Sequence, residues 1–533
     1  MTNATAFAHA TSLIAMLLVS SFAHGQYDLL LRNARIVDGT GAPWVRGDIA
    51  IKGDSIARMA AAIDEPAVRV IDVKDAVVAP GFVDIHTHAI RGIFAIPTAD
   101  NYIRQGVTTI LEGPDGGSPV PLKPFLDKLE STPKSINIGT FIGQGSVRQR
   151  VVGLANRNAT PDEIERMRAL VKRGMEEGAF GLSTGLFYVP GRFTPLAEVV
   201  ELQKTAGRMG GVHTSHIRDE SAGVAESVRE TIAIGEQGGL PTHVSHHKMI
   251  GKANWGRSAE TLALIDAARA RGVDVTVDLY PYTASATTIR SALMPAWSLE
   301  GGRKEMLTRL QDPATREKIK TEIAHLIRAE RGGGDPRNVV VSICAWEPAL
   351  AGKNLAEIAR SRGVEPTPEN AAEAVMWLEE QGGCRGVFHA AAEEDVVRVM
   401  RHPAAMIASD GEVTAAGKGV PHPRSYGTFA RVLGVYVREN KVLTLEEAVR
   451  KMSAMPAARI GLADRGVLRA GMKADIVVFD PASVRDAATF ERPHQFAEGF
   501  AHVIVNGQIV YEGGAMTDAR PGRVLYGPAK VAP

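Results

Sequence analysis

The chain has 533 residues, 45% of them hydrophobic, with a formal net charge of +1. That length implies a large domain with additions, and 61 basic residues against 60 acidic ones leave no electrostatic footprint for nucleic acid or an anionic membrane. The two cysteines, Cys344 and Cys384, are too few for a disulfide framework and too far apart for a C-x-x-C site, which leaves one bridge between them open.

Residues 1–25 contain no Lys, Arg, Asp or Glu, and Ser12 to Phe22 is an apolar run ending in Ala23-His24-Gly25. The run is shorter than the ~20 residues a membrane span needs. It reads as a secretory signal peptide cleaved before Gln26, which implies export, to a bacterial periplasm. No other segment is apolar enough to span.

Tyr27 to Val37 and Asp48 to Ile56 then alternate as strands, with Asp38-Gly39-Thr40-Gly41 and Lys52-Gly53-Asp54 as turns. Ala474 to Phe479 and Ala501 to Val510 have the same character, and Asn506-Gly507 marks a hairpin turn. Residues 27–80 and 465–515 are therefore expected to form one small β-sandwich domain built from both chain ends. The middle, 81–464, alternates strand and helix. Strand candidates are Phe82–His88, Val107–Glu112, Asn137–Ile142, Phe180–Gly185, Gly211–Ile217, Thr242–His246, Val273–Tyr280 and Met406–Asp410. Helical stretches are Pro161–Glu177, Pro195–Arg208, Ser221–Gln237, Ser258–Arg271 and Glu393–Arg401, two of them opening on proline, as helix entry prefers. Eight strands with interleaved helices predict an α/β fold, a (β/α)8 TIM-type barrel. Gly386–Ala390 is a ninth strand candidate, and the long polar stretch 294–383 reads as an insertion before the last barrel strand.

In such a barrel the C-terminal ends of the strands face the active site. His86-Thr87-His88 ends the first strand, and period-2 alternation points both imidazoles the same way. His213 and His216 lie on the fifth strand, His246 and His247 end the sixth, and Asp410 ends the eighth. A lone histidine is most often a buried, hydrogen-bonded side chain. Convergence of several with an aspartate suits a divalent metal with N/O ligands, above all zinc.

The sequence also resembles the D-aminoacylase (N-acyl-D-amino-acid deacylase) branch of the amidohydrolase superfamily, from about Tyr27 to Gly513. The stretches that carry the resemblance are Pro80 to His88, Gly181 to Tyr188, His216-Ile217-Arg218-Asp219-Glu220, Ser245-His246-His247-Lys248, Tyr280-Pro281-Tyr282, Ser409-Asp410-Gly411 and His422 to Gly427. The resemblance implies zinc-dependent hydrolysis of N-acyl-D-amino acids with one or two metal ions. It gives the tighter ion to His216 and His246, the weaker to His86 and His88, and the general base to Asp410. It also implies that Lys248, Tyr282 and Arg424 bind the substrate's α-carboxylate and that Tyr188 lines the pocket.

The chain departs from the resemblance at the metal-bridging cysteine, whose position falls on Asp115 in Glu112-Gly113-Pro114-Asp115-Gly116. A carboxylate can bridge two metals, but as a harder ligand it shifts preference toward Mn2+ or Co2+. Glu112 is a rival ligand, and the alternative for Asp115 is an ordinary Pro-Asp-Gly turn. His247 and His213 are expected to face away, His389 to be a buried strand histidine, and Arg218, Asp219 and Glu220 to support the site or cap the next helix. Gly411 to Pro423 has the composition of a lid. Dihydropyrimidinase-like or isoaspartyl-dipeptidase-like enzymes are rival readings, but they use a carboxylated lysine, and Phe180 to Leu186 has none. A non-catalytic metal-binding barrel is the rival from another class.

Overall fold

A computed structural model describes residues 26–531, so the expected signal peptide lies outside the described residues. Both ends of the chain meet in one nine-stranded sheet. Tyr27–Ile36 pairs antiparallel with Val45–Lys52 and parallel with Ala67–Asp72 and Val77–Pro80. Val77–Pro80 in turn pairs with Ile476–Phe479, beyond which lie Phe500–Val505, Gln508–Glu512 and Ala515–Met516. These strands are apolar on both faces because each face has its own core. Val78, Ile476, Val478 and Ile504 close the small core with Leu29, Leu31, Ile49 and Ile51, whereas Val77, Val477, Phe479, Val503 and Val505 pack into the core of the central domain.

The central domain holds eight parallel barrel strands: Phe82–Asp84, Val107–Glu112, Asn137–Thr140 continued by Ile142–Gly143, Gly181–Gly185, Val212–His216, Thr242–Val244, Val275–Leu279 and Ala405–Ile407. The last and first strands meet without a regular ladder. There Asp410 N donates to His86 O at 2.9 Å, His88 N donates to Gly411 O at 2.7 Å, and the buried Asp84 carboxylate accepts from Ser409 N at 3.1 Å. Outer helices cover Pro161–Glu177, Leu196–Arg208, Val224–Gly238, Ser258–Ala270 and Glu393–Arg401, within a few residues of the expected spans. The first of these is capped by Thr160 and Glu163 in a reciprocal capping box.

Three strands end well short of the site residues expected to close them. The ladders stop at Asp84, Val244 and Ile407, before His88, His246 and Asp410. Past the ends of the second, sixth and eighth strands the backbone leaves the extended conformation: Asp115, His246 and Asp410 all have positive φ, at 57°, 37° and 51°. Left-handed backbone at three non-glycine residues is strain held by the surrounding fold, and here it re-aims side chains at the barrel mouth.

Gly386–Ala390 is not a barrel strand. Arg385–Phe388 is the central strand of an antiparallel sheet between Ser285–Thr288 and Val339–Ile343. With the helices Arg303–Gln311, Pro313–Ala329, Leu355–Ser361 and Pro368–Gln381 it builds a separate core, so the inserted elements extend on both sides of 294–383. Cys344 and Cys384 are joined by a disulfide within this unit. Among the described residues no helix is long and apolar enough to cross a membrane.

Candidate metal centre and substrate cleft

The strand ends converge on one carboxylate. Asp115 Oδ1 lies 3.4 Å from His86 Nε2, 3.5 Å from His246 Nε2 and 3.7 Å from His216 Nδ1, and its Oδ2 lies 3.5 Å from His88 Nε2. Asp410 Oδ1 is 3.1 Å from His88 Nε2 and 3.6 Å from His86 Nε2. The residues form two overlapping groups, His86, His88, Asp115 and Asp410 in one and Asp115, His216 and His246 in the other, with Asp115 common to both. Glu112, the rival, lines the same cleft but belongs to neither group, and its Oε2 accepts from Ile90 N at 2.8 Å.

The donor set fits a divalent cation. His86 Nε2 and Asp115 Oδ1 are buried without any hydrogen-bond partner, which costs about 1–3 kcal/mol each unless something fills the space between them. Burial disfavours the His86 imidazolium, yet the Asp115 and Asp410 carboxylates outweigh it and raise its pKa to about 10. Burial also opposes the charge on Asp115 and Asp410. His86 and His216 nevertheless hold Asp115, and Arg424 and His86 hold Asp410, well below the usual carboxylate range. Imidazoles and anions packed this closely form a site for positive charge, and the N/O chemistry is that of zinc.

Two supporting residues, Asp278 and Arg331, were not foreseen. Asp278, at the end of the seventh strand, accepts from His246 N at 2.5 Å, is bonded to His243 Nε2 at 2.7 Å and lies 3.9 Å from His86 Nδ1. Its place near the C-terminal end of a barrel strand was the available signal. Glu220 is buried between Lys248 Nζ and Arg331 Nη2, both at 2.6 Å, with His246 Nδ1 at 3.2 Å. Arg331 comes from the insertion, where no sequence pattern marks it. Asp219 caps the following helix turn through Ser221 N and Gly223 N, while Arg218 pairs with Glu230.

Arg424 Nη1 pairs with Asp410 Oδ2 at 2.7 Å. His422 fixes it: its Nδ1 accepts from Arg424 N at 3.0 Å, and its Nε2 donates to Ala284 O at 2.9 Å. Tyr282 does not join this cluster, contrary to expectation. Its ring packs on Phe490 and His422 beneath Arg431. Tyr280 is the ring beside them, with the Arg424 guanidinium 4.8 Å and the Lys248 ammonium 5.4 Å from its ring centre; the hydroxyls of both tyrosines are buried without a partner. The cause is local: Tyr282 N closes on Tyr280 O at 2.9 Å across Pro281, and this tight turn breaks strand alternation.

His213 and His247 face away as expected, whereas His389 is only half-buried and lies just past the strand Arg385–Phe388. His213 is bonded to Thr184 and Thr242, His247 to Thr261, and His389 packs against Phe490. A cleft of about 440 Å³ opens over His88, Asp115 and Asp410, with Tyr188 in its wall.

Comparison with known proteins agrees with this geometry. Residues 69–511 match the model of the amidohydrolase family. D-aminoacylase of Alcaligenes xylosoxydans xylosoxydans is 36% identical over 94% of this chain and 97% of its own length, and N-acyl-D-glutamate deacylase of the same organism is 35% identical over 95% and 98%. The crystal structure of N-acyl-D-glutamate deacylase from Bordetella bronchiseptica, complexed with zinc and a phosphonate inhibitor, superposes with a TM-score of 0.79 at 33% identity, covering 94% of this chain and 99% of that one. A (β/α)8 barrel with a zinc-type centre and full-length relatives of this kind leave one assignment: the chain belongs to the amidohydrolase family.

Proposed function

We propose that the chain hydrolyses the amide bond of N-acyl-D-amino acids, releasing a carboxylate and a free D-amino acid. The observation that carries this reading is Asp115 shared between two ligand groups, with Asp410 and the cations Lys248 and Arg424 beside them. His216, His246 and Asp115 would hold one zinc ion, and His86, His88 and Asp115 a second. Zinc bound there supplies a water acidified to a pKa of about 7 and polarises the acyl carbonyl.

The protein's own groups do the rest. Asp410, kept anionic by its neighbours, accepts the proton of the attacking water and returns it to the departing nitrogen. Arg424 offers a planar fork to the substrate's α-carboxylate, and Lys248 with the free Tyr280 hydroxyl completes the grip. Glu220 holds Lys248 in place, and Tyr188, its hydroxyl 3.3 Å from Thr287 Oγ1, walls the cleft. The apolar run Ser12 to Phe22 and the Cys344–Cys384 disulfide support an exported enzyme, since disulfides persist in oxidising compartments.

The test is assay of the zinc-loaded protein on N-acetyl-D- and N-acetyl-L-methionine, with elemental analysis. Release of the D-amino acid, lost on chelation and restored by zinc, is expected. Asp410→Asn should lower kcat by about 10²–10⁴-fold while the Asp115, His216 and His246 group keeps its zinc. Hydrolysis of cyclic amides without action on linear D-substrates would overturn the reading, as would a fully active Asp410→Asn.

A further inference from the structure

The carboxylate behind His216 and His246 is held from the inserted unit. Glu220 is 2% exposed; its Oε1 lies 3.2 Å from His246 Nδ1 and its Oε2 lies 3.8 Å from His216 Nε2. On each ring it is the other nitrogen that meets Asp115, His246 Nε2 at 3.5 Å and His216 Nδ1 at 3.7 Å. A histidine that gives one nitrogen to a metal carries its hydrogen on the other, and a carboxylate there fixes both ring and tautomer. Lys248 competes for the same place, with its Nζ 2.9 Å from His246 Nδ1. An ammonium can only donate. A hydrogen bond from Lys248 to Nδ1 therefore requires the ring hydrogen on Nε2, where it occupies the lone pair a metal needs. Glu220 decides the contest by accepting the Nδ1 hydrogen and by drawing Lys248 Nζ to its own Oε1 at 2.6 Å.

Arg331 fixes Glu220 and more. It is 3% exposed and follows the inserted helix Pro313–Ala329 by two residues. Its Nη2 donates to Glu220 Oε2 at 2.6 Å and its Nη1 to Ser285 Oγ at 3.2 Å. Its guanidinium carbon lies 4.7 Å from the centre of the Phe187 ring, which stacks on the His216 imidazole at 5.3 Å and 28°. One side chain thus bears on the supports of both histidines, a carboxylate behind His246 and an aromatic ring behind His216. An arginine has no lone pair to offer a metal, so any effect on zinc passes through those supports. A buried row of Lys248, Glu220 and Arg331 adds little net stability in itself. Carboxylates hydrogen-bonded to ligand histidines, by contrast, are worth about 10–100-fold in metal affinity.

We propose that Arg331 is a positioning residue for the zinc ion of His216, His246 and Asp115, so that the inserted unit, which supplies none of these ligands, sets how firmly that ion is kept. The inference rests on the zinc reading of the site. Arginine suits the place because its fork reaches Glu220 and Ser285 at once while its flat face covers Phe187. A lysine keeps the bond to Glu220 and loses the other two contacts.

Release of zinc from the loaded protein to a chelator tests this, followed with a colorimetric indicator and by elemental analysis of the protein that remains. Arg331→Met is expected to release the more firmly held ion about tenfold faster or more. Arg331→Lys should recover part of that difference, and Phe187→Leu should speed release less than Arg331→Met does. Arg316→Met, which strips the pairs to Glu373 and Glu380 from the same unit, should leave release within about twofold of the wild type. Wild-type release from Arg331→Met would overturn the proposal. So would equal acceleration in Arg316→Met, since general loosening of the unit would then suffice. If Arg331→Met does not fold, Arg331→Lys decides: release faster than in the wild type supports the role, and unchanged release refutes it. A wild type that takes up no zinc would instead sink the metal reading, and this inference with it.

Discussion

Asp115 shows how much one side chain decides. Its two oxygens reach four imidazoles, so it must be the group that ties both ligand sets together. Where the family resemblance puts a thiolate, this chain has a harder oxygen donor, which holds zinc less tightly and accommodates Mn2+ or Co2+ more readily. Asp115→Cys is therefore expected to slow zinc loss to a chelator at least tenfold and to narrow the range of activating metals. Dialysis followed by elemental analysis reads the first effect and reconstitution with Mn2+ the second. Faster zinc loss from the variant would refute the ligand role. The two tyrosines give a second prediction at this scale. Tyr280→Phe removes a free hydroxyl beside Arg424 and Lys248 and should lower kcat/KM about tenfold, equivalent to about 1.4 kcal/mol. Tyr282→Phe should change it less than twofold, and the reverse ranking would restore the motif-based assignment. His86, His88, His216, His246 and Asp410 were legible because strand ends in a barrel share one mouth. Tyr280 was not, because the resemblance puts the contact on Tyr282, and no motif announces the turn at Pro281 that separates the two rings.

Among elements, the helices were the most readable and the insertion the least. Pro161 with Thr160 and Glu163 announces a helix start in three adjacent signals, and the observed helix begins at Pro161. Of the inserted sheet only Gly386–Ala390 read as a strand, since its partners come from around residues 285 and 340, and antiparallel pairing over those separations leaves no local mark. That sheet matters for the loop after Asp410. Val420 N donates to Ser342 O at 2.8 Å, and Gly419, at φ +63°, sits so close that a Cβ would lie 2.4 Å from the same oxygen. The loop carries Glu412 at one end and leads into Arg424 at the other, so its docking positions both. Gly419→Ala combines a positive-φ penalty of about 1 kcal/mol with a backbone clash, and it should lift the loop off the sheet. Faster tryptic cleavage at Lys418 and a roughly five- to tenfold lower kcat/KM are expected. An unchanged cleavage rate would mean that the loop is held elsewhere.

At the scale of the whole molecule, the paired β-rich ends were evident in the sequence, but their coupling to the barrel was not. Alternate residues of Val77–Pro80 and Ile476–Phe479 enter different cores, so neither lobe is complete without those strands. The C-terminal segment extends the coupling past the expected boundary at 515: Ile138 N donates to Arg523 O at 2.9 Å and Leu525 N to Ile138 O at 2.8 Å, on the third barrel strand. The polar counterpart of this apolar coupling is Asp475. It is buried at the junction, paired with Arg465, and it accepts from Asn506 N at 2.7 Å and from Asn137 Nδ2 at 3.1 Å. Asn137 begins the third barrel strand and Asn506 lies in the turn between the last long strands, so a single carboxylate joins both lobes. Asp475→Ala leaves the buried Arg465 with only the exposed Asp464, 3.5 Å away, a change that costs at most about 3–5 kcal/mol. Because both cores share strands, the variant should still unfold in one calorimetric transition, at a lower temperature than the wild type. Loss of zinc should coincide with that transition, since the ligands lie on barrel strands whose packing depends on the same junction. A variant that melts in two steps, with the small β lobe going first and zinc retained until the second, would show that the lobes are independent and the junction merely a contact between them.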